Sequence, residues 1–200
     1  NNGSFLDGTT NYYEATNNLI ANDTNFSISI WANISDPAVA FATLIDNGRA
    51  GSSLGKGFRL IAGGSSIGYA TIRATTGAIE VNFSLNKLLN HYIIVYDVTR
   101  RNLSLYINGK LNNTAYTPPS NDPQQGQNEF SIGDSADHPV GEKWTGWFDE
   151  VGIWNRTLSD GGCSIGVTCS GEIDDLNLDP NDGQNFLNVD VLDTTPPEIT

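Results

Sequence analysis

Alternation with a period of two constrains this chain more than any other feature. In the run Phe26–Ile34, Phe26, Ile28, Ile30, Ala32 and Ile34 share one side, and Ser27, Ser29, Trp31 and Asn33 share the other. Successive side chains of an extended strand point to opposite faces, so this pattern predicts a strand with one buried face. The runs 58–62, 67–73, 78–83 and 102–107 also read as strands. Gly63-Gly64-Ser65-Ser66 and Asn108-Gly109 between or after them are hairpin signals, because such residues accept positive φ. His91–Asp97 is apolar on both faces and reads as a central strand covered on both sides. Phe130–Gly133 and Gly146–Trp154 are the last clear strands, and no helical periodicity competes. Many short strands with turns about every ten residues imply a sandwich or barrel.

The chain has 200 residues, enough for one large sandwich, and no apolar run long enough to cross a bilayer. It starts at Asn1 and contains no Met, which suggests a processed chain or a piece of a longer one. The net charge is −13, and the ten basic residues form no stripe. Nucleic acid and anionic membrane surfaces are therefore unsuitable partners, and membrane insertion is not expected. An acidic surface suits solubility and divalent cations. Residues 117–128 form a polar loop. Regular patterning decays after Thr157, and Asp193–Thr200 reads as an extended proline linker.

Cys163 and Cys169 are separated by five residues, wider than most redox or zinc pairs, and no histidine lies near them. They are expected to form a disulfide, which points to an oxidising compartment or a thermophile. Eight Asn-X-Ser/Thr sequons begin at Asn2, Asn22, Asn25, Asn33, Asn82, Asn102, Asn112 and Asn155. Chance pairing in a chain of this composition gives roughly four. The excess suggests N-glycosylation, and the alternative is that a chain rich in Asn, Ser and Thr makes sequons by accident.

Four segments in order resemble the laminin-G-like jelly-roll family of the concanavalin A-like lectin/glucanase superfamily. They are Phe5–Tyr12 with its Asp7-Gly8 turn; Phe26–Trp31; His91–Asp97 leading to Leu105–Gly109, with Asn90 where the family often has Trp; and Ser131–Gly133 followed by Gly146–Ser159. The resemblance covers roughly residues 4–159. It implies an all-β fold, a two-sheet antiparallel jelly-roll β-sandwich. Gly171–Leu176 is similar to the family's next segment but arrives eleven residues late, so 160–170 reads as a disulfide-closed insertion. The expected organisation is a domain over 1–176 and an acidic, proline-containing connector over 177–200, similar to linkers that precede immunoglobulin-like domains in microbial surface proteins.

The wider fold also houses glycoside hydrolases with Glu-X-Asp-X-X-Glu on one strand. Glu172-Ile-Asp-Asp-Leu-Asn177 mimics the start of that motif, but Asn177 stands where the second Glu is needed and the segment lies beyond the last sandwich strand. No Ser-His-Asp, nucleophile-elbow, phosphate-loop or zinc-helix signature is present, His91 reads as structural, and His138 sits in a loop. The chain is expected not to be an enzyme. The resemblance implies a structural Ca²⁺ at Asp149 and Asp7, with Asp46 a weaker third ligand. The competing reading is that Asp149 caps its strand and Asp7 stabilises a turn. Of the tryptophans, Trp144 is the expected exposed, ligand-binding ring, being outside the strand and flanked by Lys143; Trp31 is either exposed or on a second packed face. The leading function is a non-catalytic binding or adhesion module of a secreted or cell-surface glycoprotein, taking a glycan or an extracellular protein. The runner-up is a structural subunit of a filament, sheath or virion, self-assembling through its C-terminal segment. A glycoside hydrolase is the third reading.

Overall fold

A computed structural model describes residues 3–15, 24–47, 57–74, 77–116, 130–135 and 142–175. Twelve strands lie in them: β1 (Ser4–Asp7), β2 (Tyr13–Ala15), β3 (Phe26–Ala32), β4 (Ala40–Asn47), β5 (Phe58–Gly64), β6 (Ile67–Ala74), β7 (Gly77–Ser84), β8 (Asn90–Asp97), β9 (Asn102–Ile107), β10 (Lys110–Tyr116), β11 (Phe130–Ile132) and β12 (Thr145–Trp154). One helical turn, α1 (Glu172–Asp175), follows. The first sheet has the order β1-β12-β3-β8-β9-β10 and the second β2-β11-β4-β5-β6-β7. Every strand pair within them is antiparallel. Two meanders, β4–β7 and β8–β10, supply most of the two layers, and the chain changes sheet between them, which makes the fold a jelly-roll β-sandwich. No helix among the described residues is long and apolar enough to cross a membrane.

The alternating residues fill the space between the sheets. Ile28 and Ile30 of β3, Tyr92, Ile94 and Tyr96 of β8 and Leu103 and Leu105 of β9 meet Leu44, Phe58, Leu60, Ile72, Val81 and Phe83 of the second sheet in one buried cluster. Each such side chain contributes about 1.5–3 kcal/mol of transfer free energy, so this layer dominates stability. The turns follow the sequence chemistry. Asn108 and Gly109 have φ of 51° and 71°, and Ser65 and Ser66 have φ of 52° and 61°, the signature of two-residue primed hairpins. Gly63 and Gly64 belong to β5 itself. A Cβ at Gly63 would collide with the Tyr69 ring on β6, so the glycine makes room for that aromatic.

Candidate functional site

The two faces of the first sheet are both used. Its outward positions Ser27, Ser29, Trp31, His91, Ile93 and Val95 are buried. The chain after β12 folds back over one half of this face. Leu158, Cys169 and Ile173 pack on Ile93, Val95, Tyr106 and Leu111, with Trp154 and Cys163 against them. Polar contacts fasten this cover. The Ser27 hydroxyl donates to the Arg156 carbonyl (2.8 Å) and accepts the Leu158 N–H (3.0 Å), and the Tyr106 hydroxyl donates to Asp160 (2.8 Å). Arg156 grips Glu172 with both terminal nitrogens (3.0 and 2.7 Å), and Glu172 also accepts the Ser159 N–H (2.9 Å). These donors pull the Glu172 carboxyl down to about 2. The Cys163–Cys169 disulfide closes the outer loop, which hydrogen-bonds to the β9–β10 turn through Cys169 N–H to the Gly109 carbonyl (2.9 Å) and Gly166 N–H to the Leu111 carbonyl (2.7 Å).

The other half of the face is open. Trp147 of β12 stands 50% exposed and Phe5 of β1 42% exposed. They are direct cross-strand partners, with ring centroids 5.2 Å apart and planes inclined at 55°. Asp149, two residues along β12, projects on the same side and lies opposite Trp31 in register. Trp31 stacks flat on His91 at 4.7 Å, and His91 Nε2 lies 2.7 Å from the Ser29 hydroxyl. This Ser-His pair is sealed, since Ser29 is 2% and His91 0% exposed, so it cannot meet a substrate. The Trp31 indole N–H is buried without a hydrogen-bond partner among the described residues. A β-bulge follows Asp149, with Glu150 at φ 51°. Burial and the neighbouring Asp149 charge push the Glu150 carboxyl upward.

The second sheet carries a different device on its outward side. Arg59 of β5 reaches Asp46 of β4 (3.3 Å), Glu142 (2.7 Å) and the Thr43 hydroxyl (2.7 Å). Asp46 also accepts the Ser135 hydroxyl (2.8 Å), and Lys143 pairs with buried Asp134 (2.7 Å). Each buried charge meets an opposite one, so the array locks 134–135 and 142–143 onto the sheet.

The structure corrects one expectation about site residues. Trp144 is 1% exposed. Alternation explains it: Lys143 turns outward to Asp134 and over the Tyr12 ring (4.7 Å), which sends Trp144 inward, where its indole N–H donates to the Asn33 carbonyl (2.7 Å). Trp147, displaced by the inward-facing Phe148, is the exposed ring instead. The proposed calcium ligands are not brought together. Asp7 pairs with Thr145 and Asp149 lies four residues further along β12, about 13 Å away at strand rise, while Asp46 sits in the other sheet, engaged by Arg59. Asp7 instead accepts the Thr10 hydroxyl (2.6 Å) and the N–H groups of Thr10, Asn11 and Thr9 (2.7, 3.0 and 2.8 Å), which hold its carboxyl well below the usual range. Asp149 accepts the Glu150 N–H (2.9 Å). Among the described residues no group of three or more His, Cys, Asp or Glu side chains is placed to hold a metal ion.

Of the sequon asparagines, Asn82, Asn112 and Asn155 are exposed and Asn25, Asn33 and Asn102 half-buried. Asn2, Asn22, His138, Asn177 and the 177–200 connector lie outside the described residues. Sequence reasoning passed over Phe5, although its pairing with the strand of Trp147 makes the platform. It also passed over Arg59, whose signal was available: a lone arginine inside the apolar run Phe58–Ala62 needs buried partners.

Residues 7–161 match the Concanavalin A-like lectin/glucanases superfamily. No curated protein sequence matches the chain. Among solved structures, the CBM40 of the Ruminococcus gnavus IT-sialidase superposes with a TM-score of 0.62 at 16% identity, covering 80% of this chain and 93% of that one. The same module bound to alpha2,3 sialyllactose gives 0.63 at 17% identity, covering 80% and 92%. Domain 4 of AbnA, a GH43 extracellular arabinanase from Geobacillus stearothermophilus in complex with arabinotriose, gives 0.61 at 15% identity, covering 88% and 76%. At these identities the likeness is one of fold.

Proposed function

Because the chain belongs to the Concanavalin A-like lectin/glucanases superfamily, we propose that it is a non-catalytic carbohydrate-binding module whose platform is the Phe5–Trp147 pair. One observation carries this reading: the sole large aromatic pair left open on the outward face of the first sheet is a rigid cross-strand pair beside a carboxylate, among the described residues. Aromatic faces stack on the C–H face of a sugar ring, and Asp149 supplies an acceptor for a sugar hydroxyl. The fold's use in the sialyllactose and arabinotriose complexes supports the same class of ligand. The disulfide supports a place outside the reducing cytosol, on the cell surface or secreted.

Calorimetry with immobilisation-free oligosaccharides tests the reading, with sialyllactose and arabinotriose as first probes and a glycan array to widen the set. Trp147→Ala is expected to lower affinity for any bound glycan at least tenfold while the melting temperature stays near that of the parent, because the ring is half in solvent. Unchanged affinity in Trp147→Ala removes the platform from the reading. Release of new reducing ends from a bound glycan overturns its non-catalytic half.

A further inference from the structure

We propose that Asn82 and Asn112 carry N-linked glycans, and that these clothe the sandwich edge formed by β7 and β10. β7 is the last strand of the second sheet and β10 the last of the first, and beyond the Lys110–Leu111 end of β10, which the 166–168 loop pairs, no further strand is registered on either edge among the described residues. Such edges invite pairing with another chain unless something blunts them. The two edges meet: the Asn113 side-chain amide donates to the Asn82 carbonyl (3.5 Å). Each edge has one exposed sequon asparagine. Asn82 points outward from β7, since its neighbours Val81 and Phe83 face the core. Asn112 is the extra residue of the β10 bulge between Leu111 and Asn113, which lifts it out of the ladder.

The folded state distinguishes these positions from Asn33 and Asn25, which carry the same motif. The Asn33 carboxamide is committed at both ends, accepting the Trp147 N–H (2.7 Å) and donating to the Lys87 carbonyl (3.4 Å). The Asn25 carboxamide oxygen accepts the Val98 N–H (2.8 Å). Among the described residues Asn82 and Asn112 make no such side-chain bond, so a sugar on either displaces none there. The cross-strand partner of Asn82 is the half-buried Tyr69, against whose ring a first sugar can lie. The modification is a transfer from a lipid-linked oligosaccharide. The Asn Nδ2 attacks the anomeric carbon, the lipid phosphate departs with the bonding pair, and the nitrogen loses one proton. No oxidant or reductant is needed.

Glycopeptide mass spectrometry of the chain from its native source tests this, alongside Asn82→Gln and Asn112→Gln made in the same host. The expected result is a hexose- or N-acetylhexosamine-containing mass on the peptides holding Asn82 and Asn112, lost one glycan at a time in the two variants, with the Asn33 peptide unmodified. Bare Asn82 or Asn112 peptides overturn the proposal, as does a glycan on Asn33. Sedimentation of the double variant reads the shielding role separately: concentration-dependent association absent from the parent supports it, and a monomer at all concentrations removes that part.

Discussion

The carboxamide oxygen of Asn33 accepts the main-chain N–H of Trp147 at 2.7 Å, while the main-chain N–H of Asn33 donates to the Trp147 carbonyl at 3.0 Å. A side chain thus replaces a strand's acceptor beyond the end of β3. The Asn33 carbonyl also accepts the Trp144 indole (2.7 Å), so one residue fixes both the buried tryptophan just before β12 and the exposed one within it. Asn33→Ala is expected to cost about 1–2 kcal/mol, from the loss of the bond to Trp147 and the longer one to the Lys87 carbonyl, and from an underserved donor. It should also weaken glycan binding severalfold by freeing the platform. Asn33→Asp keeps the acceptor and should retain most of both. Urea unfolding and calorimetry on the two variants check this; equal losses in Ala and Asp would refute it.

Arg59 has Asp46, Glu142 and Thr43 around it, and Asp46 is fully buried. Removing the guanidinium takes the Arg59 charge away from a buried carboxylate. Arg59→Met is expected to destabilise by about 3–5 kcal/mol. Adding Asp46→Asn to it should recover part of that loss, because the stranded charge is gone. A double-mutant cycle in urea measures the coupling, and simple additivity of the two changes would show that the ion pair does not act as a unit.

Much of the architecture was legible because alternation reports which face is buried. The run Phe26–Ile34 announced β3, and the doubly apolar His91–Asp97 announced a strand covered on both sides. β4 was missed because Phe41 adopts φ 64° and the pairing slips at Ala40/Thr43 and Thr43/Ile45, so the period of two is broken there. The turn α1 was missed because four residues are too few for a helical period to show. The site was legible only in part. Alternation alone could have placed Trp147 outward once Phe148 was assigned inward. The pairing of Trp147 with Phe5, and of Arg59 with Glu142, joins residues more than eighty positions apart, and only the fold brings them together.

The disulfide holds a cover, not a core. Cys169 is buried in the small cluster with Ile93, Val95 and Leu158, and the loop it closes is short. Replacing both cysteines by serine is expected to cost about 2 kcal/mol from chain entropy. Hydrogen exchange should show where the change falls. Amides of 157–173 should lose protection first, and those of β3 and β8 should keep theirs, because the main core lies on the opposite face of the sheet. Uniform loss across both sheets would mean that the cover and the sandwich unfold as one unit.

Two glutamates should respond to pH in opposite senses. Glu172 is held at about 2 by Arg156, below its ordinary value of 4.5. Its folded form binds a proton less readily than the unfolded chain does. The stability it supplies is therefore complete above pH 4.5 and is lost as pH falls towards 2. The effect is modest, since both partners are partly solvated. Glu150 is shifted upward by burial and by Asp149, so its folded form binds the proton more readily. It costs nothing well below 4.5, where both states are protonated, destabilises increasingly as pH rises from 4.5 to its folded value, and levels off above that. Melting temperatures of the two variants between pH 2 and 7 should then converge on the parent's at low pH from opposite sides. Glu150→Gln should melt above the parent at pH 7 and with it at pH 3, whereas Glu172→Gln should melt below the parent at pH 7 and converge with it near pH 2. A Glu150→Gln advantage that persists undiminished at pH 3 would show that its gain comes from packing and not from the charge beside Asp149.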